Sequence, residues 1–326
     1  LWRNNRSDEA FTLISDINFE EVPGPRKQDF QFLKAKLFEK AMNFDKAYSC
    51  FLFSNSLAKK SEDYHRSEPE KYFKNLKKKL SQLSLSPQLT ISNVKDKSKT
   101  ESDFNPIFLV GFPRSGTTLL DTVLRSHSEI CVAEEKPSLR AAENFLTENG
   151  YDDPIGMDIP KNLRVKAKNL YQGEFKKYII ASEKCSTYID KHPLHLLHVP
   201  LIHQLYPKAK FILALRHPLD AILSCWMQNF TLNKTTANFV DLDRIVDFYC
   251  IAMETFKICR KKYDIRVHEI RYEDLINDFQ KKAEESLRFI SLKWEPGIEN
   301  FQDTALKRGR IDTPSYSQVV QPLYTD

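Results

Sequence analysis

Glycine is scarce: the 326-residue chain holds eight. Its six cysteines form no CxxC pair and no regular spacing, which argues against a zinc site or a disulfide framework and makes reduced, packing cysteines the expectation. No apolar run approaches the roughly 20 residues that span a bilayer as a helix, so no membrane span is expected. Charge of one sign is not abundant enough for a dedicated nucleic-acid binder, since 49 basic residues face 44 acidic ones. Residues 1–103 carry 19 basic and 15 acidic residues, and residues 104–326 carry 30 and 29. Any anion bound by the larger part must be held by local groups. No basic-then-apolar signal segment precedes the first helix, and the unpatterned cysteines favour a cytoplasmic location. The start at Leu1 raises the expectation of an absent amino-terminal stretch, and a lumenal enzyme without its anchor is the alternative.

What is present suits a globular protein. At 41% hydrophobic content the chain has room for one α/β domain and a smaller module. Residues 29–42 place Phe30, Leu33, Leu37, Phe38 and Ala41 on one helical stripe, and after the Asn43–Phe44 turn Ala47, Tyr48, Phe51, Leu52 and Leu57 repeat the period. Phe38, Phe44, Ala47 and Phe51 fall at packing positions of a tetratricopeptide repeat, although Gln31 and Lys34 stand where that repeat favours Trp and Leu. A plain helical hairpin is the competing reading. Asp8 to Ile17 suggests a further, earlier helix. A Ser- and Lys-rich stretch then ends at Asp103 and reads as a solvated linker.

From Asn105 short apolar runs alternate with helical patterns. Strands are expected at 107–110, 188–190, 211–215 and 265–270, and helices at 117–126, 219–230, 241–262 and 272–290. This is the pattern of a parallel sheet covered on both faces, a P-loop-like three-layer α/β/α arrangement. Two of the eight glycines bracket Gly111-Phe112-Pro113-Arg114-Ser115-Gly116-Thr117-Thr118, between the first strand and its helix. Such a turn aims backbone N–H groups and a helix N-terminus at one point, where a phosphate-like anion is stabilised. The spacing is that of a Walker A loop, but Thr117 occupies the place of its lysine, and Arg114 supplies the cation instead. A second candidate anion site follows the 211–215 strand, where Arg216 offers a planar fork and Ser224 a hydroxyl.

On these residues the sequence resembles the sulfotransferases that use 3′-phosphoadenosine-5′-phosphosulfate (PAPS), in particular the tyrosylprotein sulfotransferases and the bacterial enzymes that carry tetratricopeptide repeats. The likeness runs from the loop through Ser126-His127-Ser128, Ala133-Glu134-Glu135, Asp190-Lys191-His192-Pro193, Leu215-Arg216-His217-Pro218, Arg271-Tyr272-Glu273-Asp274-Leu275 and Ser315-Tyr316-Ser317-Gln318-Val319. After a helical, partly tetratricopeptide-like segment read over 1–80 and a linker over 81–103, it implies a sulfotransferase domain over 104–326. It also implies that Arg114, Ser115, Gly116, Thr117, Thr118 and Leu119 cradle the 5′-phosphosulfate. Arg216 and Ser224 would hold the 3′-phosphate, and Tyr272 would contact the nucleotide. Gln228 departs from the pattern, standing where the tyrosylprotein enzymes have a further Arg.

Sulfuryl transfer requires an in-line acceptor, a base for its proton, and cations facing the moving group and the leaving phosphate. By resemblance Arg114 and Lys191 are the cations, Ser315 lies near the sulfuryl group, and Glu135 is the base, with His192 as its rival because imidazole titrates near neutral pH. No metal is expected. The product would be 3′,5′-adenosine bisphosphate. The acceptor would carry a hydroxyl, on a protein tyrosine, a carbohydrate or a small alcohol, and a peptide or protein would dock on the helical segment. A basic residue beyond Asp326 closes the pocket in the family, so weakened PAPS binding is expected of this chain. A P-loop kinase or NTPase and an inactive repeat scaffold are the alternatives.

Overall fold

The computed structural model describes residues 7–15, 17–87, 104–179 and 185–307. Its centre is a parallel sheet of five strands among the described residues: β1 (Ile107–Gly111), β2 (Ile130–Glu134), β3 (Thr187–Lys191), β4 (Lys210–Leu215) and β5 (Arg266–Arg271). They lie in the order β2-β3-β1-β4-β5. β1 is buried at all five positions because it is central and helices cover both faces, so its sequence is continuously apolar rather than alternating. β5, an edge strand, carries the charges of Arg266, Glu269 and Arg271.

The topology locates a binding crevice. From β1 the chain moves outward to β2, and from β3 it crosses to β4 on the opposite side of β1. The direction of travel thus reverses about β1, so the loops that leave the carboxyl ends of β1 and β4 diverge to opposite faces, the arrangement that opens a ligand crevice in α/β sheets. Phe108 pairs with Phe211 and Gly111 with Ala214, which brings the β1 and β4 exits level.

Helix Thr117–Arg125 covers one face, with Leu120, Val123 and Leu124 packed beside Leu109, Ile212 and Ile270. Leu275, Ala283, Leu287 and Ile290 join that cluster. The single helix expected over 272–290 is two, Tyr272–Asn277 and Phe279–Phe289, broken at Asp278 (φ −137°, ψ 64°). The apolar period survives the break, so sequence periodicity does not register it.

Cys131 on β2 and Cys185 just before β3 are joined by a disulfide with Cα atoms 5.9 Å apart, which corrects the expectation of six reduced cysteines. Neighbouring strands bring together positions 54 residues apart, a proximity that spacing along the chain cannot express.

Of the described residues, those within 1–76 and 222–248 form one compact unit, and those within 77–221 and 249–326 another. This division differs from the sequence boundaries at 80 and 103, since helix Pro69–Leu85 runs across the first and the 222–248 stretch joins the helical unit. In that unit, helices Lys27–Lys40 and Phe44–Lys59 form the expected hairpin, and Asn43 caps the second by accepting from Lys46 N at 3.3 Å. The buried stripe of the second helix is Ala47, Phe51, Ser54, Asn55 and Ala58, whereas Phe44, Tyr48 and Leu52 are exposed. Ser54 donates to Gln28 O and Asn55 to Trp226 O, so polar residues occupy places that an apolar count assigns outward. Among the described residues no helix is long and apolar enough to cross a membrane.

Candidate active site

The loop after β1 is shaped by two glycines for different reasons. A Cβ at Gly111 would lie 2.5 Å from Ala214 O on β4, so only glycine permits this approach of the strands. Gly116 has φ +87°, and a Cβ there would lie 2.7 Å from the Tyr272 ring. Arg114 also adopts positive φ, at 71°, a conformation that costs energy for a side-chain-bearing residue and is held by its surroundings. Ser115 N donates to Phe112 O at 3.1 Å, closing the turn. Helix Thr117–Arg125 then begins with Gly116 as its N-cap and no side-chain cap, leaving its first-turn N–H groups aimed at the loop. Ser115, Thr117, Thr118 and Leu119 are buried, and Leu119 belongs to the core cluster.

Arg216 brings the second candidate site to this loop. Its Nη1 donates to Arg114 O at 3.4 Å, and its guanidinium lies 4.7 Å over the Tyr272 ring. Nε is buried without a hydrogen-bond acceptor among the described residues, and Asp220 approaches no closer than 3.9 Å. Glu273 anchors the turn by accepting from His217 N at 2.8 Å. Burial opposes its ionisation, but that hydrogen bond and the charges of Arg271 and Arg216 hold its carboxyl below the usual range. Ser224 lies on helix Pro218–Trp226, part-exposed, at a position grouped with the other compact unit.

Lys191 is wholly buried at the end of β3, in register with Leu109 on β1 and Glu134 on β2. Its Nζ lies 2.7 Å from Glu135 Oε1 and 3.0 Å from Glu134 Oε1. Burial alone would depress its pKa, but Glu135, Asp121 and Glu134 outweigh that effect and hold it above the ordinary lysine value. The ammonium therefore stays charged. Glu135 has φ 49°, its N donates to Lys191 O at 2.7 Å, and its side chain is 39% exposed, so the carboxylate meets both the lysine and solvent.

His192 sits differently. Its ring stacks on His195 with centroids 4.5 Å apart, and its Nδ1 is buried without a partner among the described residues. Burial, followed by His195, His198 and Lys191, pushes its pKa well below the ordinary histidine value.

Arg114, Ser115, Gly116, Thr117, Arg216 and Tyr272 thus share one sheet edge, and Glu135 joins Lys191 at the end of β3. Ser315 lies outside the described residues. Sequence reasoning missed Asp121, which is fully buried, accepts from Arg125 and acts on Lys191. It is the one acidic residue of its helix, a signal available in the sequence. It also gave Glu134 no role, whereas Glu134 and Glu135 meet the same ammonium.

An uncharacterized protein of Aquifex aeolicus (strain VF5) is 25% identical over 325 residues, covering 98% of this chain and 41% of its own length. Protein-tyrosine sulfotransferase 1 of Danio rerio is 25% identical over 235 residues, covering 68% of this chain and 64% of its own. The chain therefore spans less than two thirds of either relative. The solved sulfotransferase domain of the Synechococcus PCC 7002 olefin synthase aligns with a TM-score of 0.42 at 18% identity, over 69% of this chain and 86% of that one. The sequence profile of the sulfotransferase family matches residues 106–296, from the start of β1 past β5 and its helices. By that match, over more than half of its length, the chain belongs to the sulfotransferase family.

Proposed function

We propose that this chain transfers a sulfuryl group from PAPS to an acceptor hydroxyl. The observation that carries the reading is the Arg216 guanidinium, which joins the Gly111–Thr118 loop to the Tyr272 ring and keeps one N–H unpartnered among the described residues. Two anion-binding groups on one sheet edge suit a nucleotide with a charged group at each end of its ribose. The donor set fits PAPS in that Arg216 Nε has no hydrogen-bond acceptor among the described residues, although Asp220 lies 3.9 Å away and Glu273 shares its field. When bound, PAPS supplies the sulfuryl group and leaves as 3′,5′-adenosine bisphosphate.

The loop's N–H groups and Arg114 would hold the 5′-phosphosulfate, Arg216 the 3′-phosphate, and Tyr272 would limit the pocket beside Gly116. Glu135 would accept the proton of the attacking hydroxyl, since its carboxylate reaches solvent while the His192 ring is packed against His195. Protonating Glu135 removes one of the charges that hold Lys191. The ammonium is then left to neutralise charge on the transferring group. Ser315 is assigned near that group by resemblance alone. The acceptor classes remain a protein tyrosine, a carbohydrate or a small alcohol. The tyrosine enzyme among the relatives supports the first of these.

Thermal shift with 3′,5′-adenosine bisphosphate, 5′-AMP and ATP tests the nucleotide assignment, and transfer from labelled PAPS to a panel of hydroxyl acceptors tests the reaction. The bisphosphate should stabilise most, because it alone among the three carries the 3′-phosphate. Stronger stabilisation by ATP would instead favour a kinase or NTPase.

A further inference from the structure

Two consecutive carboxylates meet one buried ammonium, which regular strand geometry does not allow. Successive side chains of a strand point to opposite faces of the sheet, so Glu134 and Glu135 would diverge if β2 continued. Glu134 is the last residue of β2, in parallel register with Lys191 on β3. Its side chain is 12% exposed, with Oε1 3.0 Å from Lys191 Nζ. Glu135 leaves the ladder through a left-handed backbone, φ 49°, while its N still donates to Lys191 O at 2.7 Å. That turn swings the second carboxylate back to the same Nζ, at 2.7 Å, with 39% of its side chain exposed. Asp190, the residue before Lys191, serves a different cluster, as the alternation requires. It is fully buried, accepts from Tyr171 Oη at 2.9 Å and lies 3.5 Å from His195 Nε2.

The charged groups around Lys191 are thus unequal. Burial opposes the ammonium, and Glu135, Asp121 and Glu134 together outweigh it. Behind Asp121, Arg125 donates from Nε and Nη2 to the carboxylate at 3.1 and 2.9 Å, and from Nη1 to Val132 O on β2. Much of the Asp121 charge is therefore already matched. His192, next along the chain, is kept neutral near pH 7 by its burial. In the transfer step the acceptor oxygen bonds to sulfur, the bond from sulfur to the leaving phosphate oxygen breaks, and the acceptor proton passes to Glu135. Glu135 then carries no charge. Glu134 is the carboxylate that stays, since it is the drier of the two, fixed by the ladder and in direct contact with Nζ. We propose that Glu134 is a positioning residue, the standing counterion that keeps the Lys191 ammonium charged and in place while Glu135 is protonated. Its part in the reaction rests on the sulfuryl-transfer reading, whereas the counterion assignment does not.

NMR of the full chain labelled with lysine carrying carbon-13 at Cε follows the ammonium directly and without nucleotide, the Lys191 signal being assigned by its loss in Lys191→Arg. Glu135→Gln imitates the protonated base, and in it Lys191 should remain charged beyond about pH 9. Adding Glu134→Gln should lower the lysine pKa by at least about one unit, a tenfold loss of proton affinity. A Lys191 that sheds its proton below that pH in Glu135→Gln alone, or that titrates identically with and without Glu134→Gln, would overturn the proposal. The first of these readings stands even if the double variant does not fold. Single-turnover transfer from labelled PAPS reads the positioning role. Glu134→Gln should slow the step about tenfold and move the alkaline fall of the rate to lower pH, and Glu134→Asp, which keeps the charge, should recover most of the rate. An unchanged rate and pH profile in Glu134→Gln would remove that role. Titrations as expected in a protein that transfers no sulfuryl group to any acceptor would instead sink the sulfuryl-transfer reading and leave the counterion assignment standing.

Discussion

Glu135 and Gly116 carry the sharpest tests at the scale of single residues. Glu135→Ala should lower turnover at least about a hundredfold while 3′,5′-adenosine bisphosphate binds as before, and His192→Ala should cost much less. Single-turnover rates and nucleotide affinity measured on both variants check this, and the reverse ranking would make His192 the base. Gly116→Ala forces a side chain into φ +87° with its Cβ 2.7 Å from the Tyr272 ring. That ring must shift, and it lies under Arg216. Loss of nucleotide-induced thermal stabilisation, with secondary structure kept by circular dichroism, is the expected outcome. The glycine and Arg114 were legible in the sequence because a strand, a glycine-bracketed turn and a helix form a local pattern. The joining of Glu134, Glu135 and Asp121 on Lys191 was not, because it depends on pairing between β2 and β3 and on the helix that covers them.

At the scale of elements, four of the five strands were readable as short apolar runs, whereas β2 (Ile130–Glu134) and the helix Lys161–Lys176 were not expected. The helix of Phe44–Lys59 was placed correctly, but its buried face only in part, through Ala47 and Phe51. Ser54 and Asn55 turn inward to bond Gln28 O and Trp226 O, whereas Tyr48 and Leu52 remain exposed. Asn43 starts this helix with a side-chain cap on Lys46 N. Asn43→Ala should therefore destabilise the helical unit by about 1 kcal/mol, read as a shift in the urea midpoint. An unchanged midpoint would mean that the cap adds nothing beyond solvent.

For the whole molecule, buried imidazoles set an acid limit. Burial pushes His203, stacked on Tyr263, down to about 4. His192, His198 and His268 are lowered too, by burial first in each case. A histidine whose folded pKa lies below its unfolded value binds fewer protons folded than unfolded. Its contribution is complete above the unfolded value near 6.5 and is lost as pH falls toward the folded one. The thermal midpoint should fall between pH 7 and 4, with His203 contributing on the order of 2 kcal/mol after allowance for partial solvation. His203→Gln should flatten the upper part of that slope. An equally steep fall in this variant would assign the acid loss to other groups.

Composition, apolar period and the glycine-bracketed turn determined the α/β class, most of the strands and the position of the Gly111–Thr118 loop. These are local properties, governed by backbone conformation and by which side chains leave water within a few residues. Tertiary structure decided what lies across from what: the Cys131–Cys185 link, the break at Asp278, the carboxylates around Lys191, and Arg216 beside the loop and over Tyr272. Most of these depend on the order in which strands pair and on how helices close over them. That order is set by the packing energy of the assembled layers, and no stretch of neighbouring residues encodes it alone.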